Sequence, residues 1–125
     1  MAIRVSIIED DDWIRENLAS RIRQTEGFAC AGVYRTGEEA VDQIPRAAPD
    51  VVLMDINLPR MNGIEAYTAI RKKQRKVKAL FTSGYSEDLI QNRNILDKGQ
   101  RFIVKPFSSK DLAARVREAL DSDPL

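Results

Sequence analysis

Four short apolar runs in this chain each hand over to a residue that can do chemistry. Glu9-Asp10-Asp11-Asp12 follows Ile3 to Ile8, and Asp55 follows Asp50 to Met54. Thr82-Ser83-Gly84 follows Val77 to Phe81, and Lys105-Pro106-Phe107 follows Phe102 to Val104. Clustered carboxylates repel one another and suit a hard cation; Mg²⁺ is commonly held by one or two carboxylates, waters and a phosphate. A lysine such as Lys105 pairs with a phosphoryl oxygen as a compact point charge, and the hydroxyl of Ser83 can donate to the same group. Asp55 could then serve as nucleophile, since carboxylates accept phosphoryl groups as aspartyl-phosphates. Each residue alone has an ordinary explanation. Asp10 to Asp12 could be helix N-terminal acids favoured by the dipole, Asp55 a strand-end turn residue before Leu58-Pro59, Lys105 a solvated lysine and Ser83-Gly84 a turn. Their joint fall at the ends of successive apolar runs is what favours a shared site.

Those runs alternate with helical patterns. Ile3 to Ile8 and Phe28 to Tyr34 read as strands, as do Asp50 to Met54, Val77 to Phe81 and Phe102 to Val104. A helix is expected from Trp13 to about Thr25, with Ile14, Leu18 and Ile22 on one face, Asp11 or Asp12 as cap and Gly27 as stop. Thr36-Gly37-Glu38-Glu39 reads as a capping box opening a short helix that ends before Pro45. Further helices are expected over Gly63 to Lys73, Ser86 to about Asp97 with a thin apolar face, and Ser109 to about Asp121. Five strand–helix alternations with continuous apolar strands predict a parallel sheet covered on both faces. In such a sheet the site lies beyond the carboxyl ends of the strands.

Composition narrows the chemistry. The 125 residues contain no histidine, which removes histidine bases, nucleophiles and metal ligands together. Twenty basic side chains balance nineteen acidic ones, so a net charge of +1 gives no global drive toward nucleic acid or an anionic membrane. One cysteine allows no intrachain disulfide and points to a reducing, cytoplasmic setting. The apolar fraction of 43% is enough for one core without disulfide or metal staples. No run is long and apolar enough for a transmembrane helix.

The segments Ile7-Ile8-Glu9-Asp10-Asp11, Leu53-Met54-Asp55-Ile56-Asn57-Leu58-Pro59-Arg60-Met61-Asn62-Gly63, Phe81-Thr82-Ser83-Gly84-Tyr85 and Ile103-Val104-Lys105-Pro106-Phe107 resemble the receiver domain of bacterial two-component response regulators. The resemblance implies one receiver domain over 1–125, with its core at about 3–121 and no effector domain. It implies a doubly wound, flavodoxin-like α/β fold: five parallel strands in the order 2-1-3-4-5 and five helices. It further implies a phosphoryl acceptor rather than a turnover enzyme, taking the group from a histidine kinase or histidine phosphotransfer protein. By the same resemblance Asp55 is the phosphoacceptor. Asp10, Asp55 and the backbone carbonyl of Asn57 hold Mg²⁺ (or Mn²⁺), with Glu9 acting through water. Ser83 and Lys105 contact the phosphoryl group; Ser83 rather than Thr82 is chosen because Ser83-Gly84 matches the family's pair. Ser83 and Phe102 form the switch, Tyr85 lies over the phosphoryl group, and Pro106 follows a cis peptide. A downstream protein or a second copy is expected on the surface of the fourth helix, fifth strand and fifth helix, with no nucleic acid or membrane contact by the domain itself.

Two stretches depart from the family pattern: the basic 71–76 (RKKQRK), read as a solvated helix end, and 94–100 before the fifth strand. With 81–86 they resemble receivers of hybrid sensor histidine kinases. Two other readings remain. An aspartyl-phosphate phosphatase needs a second aspartate two residues after the nucleophile, where this chain has Asn57. An unphosphorylated scaffold would have no need of the set Asp10, Asp55, Ser83 and Lys105.

Overall fold

The computed structural model describes residues 2–83, 101–104 and 107–121. The elements run β1 (Ile3–Ile8), α1 (Asp12–Gln24), β2 (Phe28–Tyr34), α2 (Gly37–Ala47), β3 (Val51–Asp55), α3 (Gly63–Lys73), β4 (Lys78–Ser83), β5 (Arg101–Val104) and α4 (Ser109–Asp121). All neighbouring strands are parallel, in the order β2-β1-β3-β4-β5. The order reverses between β1 and β3, so the loops leaving these two strands diverge and open a crevice at their carboxyl ends. The expected helix over 86–97 lies outside the described residues, which contain four helices.

Burial on both faces explains the continuous apolar strands. All five residues of β3 are buried. On one face, Leu18, Ala19 and Ile22 of α1 and Leu112, Val116 and Ala119 of α4 cover Val5, Ile7, Leu53 and Leu80. On the other, Ala40 and Ile44 of α2 and Ile64, Tyr67 and Ile70 of α3 cover Ile8, Val52, Met54 and Phe81. The register of β1 on β2 steps between Val5 and Ser6, so that Ser6 pairs with Gly32. At Gly32 an added Cβ would crowd the Tyr34 hydroxyl at 2.6 Å, leaving glycine to accommodate that ring.

Most element starts lie within one residue of the sequence expectation, and the ends of α2, β3 and β4 differ in ways that bear on the site. α2 runs through Pro45 to Ala47 instead of stopping before it. A proline there loses its own N–H bond and crowds the carbonyl four residues before it, but it lies in the last turn, so little helix follows the disruption. Ile44 is fully buried and its carbonyl accepts from the Ala48 N–H, with Ala48 closing the helix in the left-handed region (φ 47°). Asp55 is the last residue of β3 rather than the first beyond it, and β4 extends through Thr82 and Ser83. Asp55 and Thr82 face each other in register and both are buried, so their backbone groups stay in the ladder rather than go unpaired.

Candidate functional site

Parallel pairing of β1 with β3 puts Ile8 opposite Met54, so the next residues, Glu9 just beyond β1 and Asp55 at the end of β3, lie side by side. One carboxylate oxygen from each of Glu9, Asp10 and Asp55 lies within 4.8 Å of the other two. Glu9 is 1% and Asp55 5% exposed, whereas Asp10 is open to solvent. Carboxylates this close disfavour one another's charge, and burial adds to that cost. Backbone donors meet part of it: the Asp11 N–H reaches Glu9 Oε2 at 3.2 Å and the Asn57 N–H reaches Asp55 Oδ1 at 3.0 Å. An all-oxygen, acid-rich cluster at a solvent-open edge fits a hard divalent cation.

The loop after β3 is built by backbone. Ile56 donates to the Thr82 carbonyl at 2.9 Å, and both Leu58 and Gly63 donate back to the Ile56 carbonyl at 3.1 and 3.0 Å. Arg60 turns the chain in the left-handed region (φ 66°) and pairs with Glu38 at 3.3 Å. A Cβ on Gly63 would collide with the Asp55 carbonyl oxygen and meet Met54 Cγ at 2.8 Å, so only glycine lets α3 start against the end of β3. Asn62 then caps α3 in a complete reciprocal box with Glu65 (2.9 and 3.2 Å). The turn holds Asn57 beside Asp55, with its side chain exposed.

The loop after β1 is held by side chains. Asp11 caps α1 by accepting from the Ile14 N–H at 2.9 Å. Arg15, only 8% exposed, donates Nη1 to the Glu9 carbonyl at 3.0 Å and Nη2 to the Asp12 carboxylate. Arg35, just beyond β2, reaches the same Asp12 oxygen at 3.1 Å. The Arg15 hydrogen bond, then the nearby charge of Arg35, holds the Asp12 carboxyl below its usual range. Helix capping and pairing thus account for Asp11 and Asp12, and Asp10 alone of the three joins the cluster.

Ser83 closes β4 opposite Val104. Phe102 is 44% exposed and sits in register with Phe81. Tyr85, Lys105 and Pro106 lie outside the described residues. Phe107 is anchored to α1: Arg21 donates to its carbonyl at 2.7 Å and lies 5.8 Å from its ring centroid. Sequence reasoning missed three arginines, Arg15, Arg21 and Arg35. The spacing of Asp12 and Arg15 by three on a helix was the available signal.

The response regulator receiver domain family matches residues 5–117. The chain belongs to this family. Among curated relatives of this receiver, the transcriptional regulatory protein PdtaR of Mycobacterium tuberculosis is 36% identical over 118 residues, covering 94% of this chain and 56% of that protein. The response regulator protein VraR of Staphylococcus aureus is 32% identical over 119 residues, again 94% of this chain and 56% of the relative. The receiver therefore spans little more than half the length of these relatives. Among solved structures, the response regulator domain of Thermotoga maritima CheB superposes with a TM-score of 0.85 at 30% identity, covering 99% of this chain and all of that one. A chain of the CheX–CheY–BeF3–Mg complex of Borrelia burgdorferi gives a TM-score of 0.79 at 25% identity, over 93% of this chain and 87% of that one. No helix among the described residues of the receiver is long and apolar enough to cross a membrane.

Proposed function

We propose that this receiver works as a phosphorylation-controlled switch in the cytoplasm, with Asp55 as its phosphoacceptor. The observation that carries the reading is the convergence of Glu9, Asp10 and Asp55 at the β1/β3 crevice of a receiver fold. A carboxylate oxygen of Asp55 attacks the phosphorus of a phosphohistidine on a histidine kinase or phosphotransfer protein. The P–N bond breaks, a P–O bond forms, and the imidazole leaves to be protonated. This chain, with no histidine, can accept the group but cannot be the histidine donor. Asp10, Asp55 and the Asn57 carbonyl would hold Mg²⁺ (or Mn²⁺), with Glu9 acting through water. That ion supplies positive charge against the transferring oxygens. The presence of Mg and BeF3 with the B. burgdorferi CheY accords with such a site.

The remaining assignments rest on the family resemblance. Lys105 pairs with a phosphoryl oxygen, and the Ser83 hydroxyl donates to another. Drawing Ser83 inward leaves room for the ring of Phe102, which stands half out of the fold beside β4. Tyr85 shields the acyl phosphate from water. The surface around β5 and α4 reads out the state to a downstream protein or a second copy.

Incubation with acetyl phosphate and Mg²⁺, followed by intact mass, tests the reading. One stable added phosphoryl group is expected, and none with Asp55→Asn. Uptake by Asp55→Asn at the normal rate overturns the assignment. Release of phosphate over many turnovers would instead indicate a phosphatase, and no reaction a scaffold.

A further inference from the structure

Arg15 is a nearly buried cation one turn into α1, the helix that follows the loop carrying two of the three clustered acids. Burying a guanidinium is costly unless its donors are matched. Two of its nitrogens are used on this loop: Nη1 on the Glu9 carbonyl and Nη2 on Asp12. The Glu9 carbonyl belongs to the peptide that joins Glu9 to Asp10. A bond to it fixes the plane of that peptide, and with it the directions in which both acidic side chains leave the backbone. The far side of the loop is tied by the Asp11 N–H on Glu9 Oε2 and by Arg35 on Asp12.

We infer that Arg15 is a positioning residue: its planar fork holds the Glu9–Asp10 peptide so that Glu9, Asp10 and Asp55 converge on one cation. The inference rests on reading that cluster as a divalent-cation site. Its strength is that charge and position make opposite predictions. As a charge alone, Arg15 repels a cation, so removing it should tighten binding. As a positioner, it should weaken binding when lost. Lysine keeps the charge and loses the fork, and so separates the two.

The test is Mn²⁺ binding to the whole chain, read by electron paramagnetic resonance of the free ion, for wild type, Arg15→Lys and Arg15→Met. Groups that orient metal ligands typically contribute 10–100-fold to affinity, so both variants should bind about tenfold or more weakly. Unchanged affinity in Arg15→Lys, or tighter binding in Arg15→Met, overturns the inference. Metal-free amide exchange at Asp11 gives a second measurement, which also covers an Arg15→Met variant that fails to fold. The Asp11 amide should exchange faster in Arg15→Lys than in wild type, and equal rates count against positioning. Absence of Mn²⁺ binding by wild type would defeat the cation reading itself, while the exchange experiment would still decide the role of Arg15.

Discussion

The loop after β1 and the loop after β3 deliver carboxylates to the same point by different means. Residues 9–12 start from a main-chain bond of Glu9 to the Tyr34 carbonyl and are otherwise held by side chains, chiefly the buried guanidinium of Arg15. Residues 55–63 are pinned by main-chain bonds to Ile56 and Thr82 and by the missing Cβ of Gly63. A loop fixed by backbone tolerates changes in exposed side chains but not a change in backbone space. A loop fixed by a guanidinium reverses that sensitivity.

Gly63→Ala is the severest way to break the second loop. Its new methyl meets backbone oxygen, which no rotamer change relieves, so a loss of about 3 kcal/mol is expected in urea unfolding. An unchanged midpoint would mean that the loop yields, and the contrast with the first loop would fall. Tyr67→Phe asks whether that loop depends on how α3 is seated further along. The Tyr67 hydroxyl donates to the Val77 carbonyl at 2.8 Å, and its loss should cost about 1 kcal/mol. Burial raises the Tyr67 pKa above its ordinary 10.0, opposed by the charge of Arg71. The stability it contributes is therefore complete below pH 10.0 and lost as pH rises through the higher folded value. The phenylalanine variant should show a shallower alkaline decline and unchanged Mn²⁺ affinity. A weakened affinity would show that the loop leans on α3.

Asn62→Ala removes the capping box where the second loop meets α3 and should lower stability by up to about 1 kcal/mol. Thermal unfolding checks this, and no loss would leave the cap without energetic weight. Arg35→Met should be smallest. Both partners of its pair with Asp12 are about two-thirds exposed, so solvent screening leaves little effect on stability. A larger drop in melting temperature would mean that Arg35, and not Arg15 alone, holds the first loop.

The strands and three of the acids were legible because parallel sheets write themselves as apolar runs and because their sites fall at the run ends. The strand ends shifted by one or two residues because Asp55, Thr82 and Ser83 are polar yet belong to the ladder, which composition does not reveal. Pro45 was read as a stop because the local penalty is visible in sequence, while the burial of Ile44 that outweighs it is a tertiary fact. Arg15 escaped notice for the same reason. An arginine at helical spacing from an aspartate is usually a surface pair, and only the fold shows this one turned inward. The receiver's family motifs supplied Lys105, Tyr85 and Pro106, which the described residues do not reach.

The face covered by α1 and α4 has a consequence for the order of assembly. Its cluster joins Val5, Leu18 and Ile22 to Ile103, Leu112, Val116 and Ala119, which lie far apart in the sequence. As the polypeptide emerges from the ribosome, α1 is made well before the apolar residues of α4 that share its cluster. Until residues past 109 are free, Leu18, Ile22 and Leu80 lack the helix that finally shields them. A nascent chain halted before that point would expose a greasy sheet face to chaperones and to other chains.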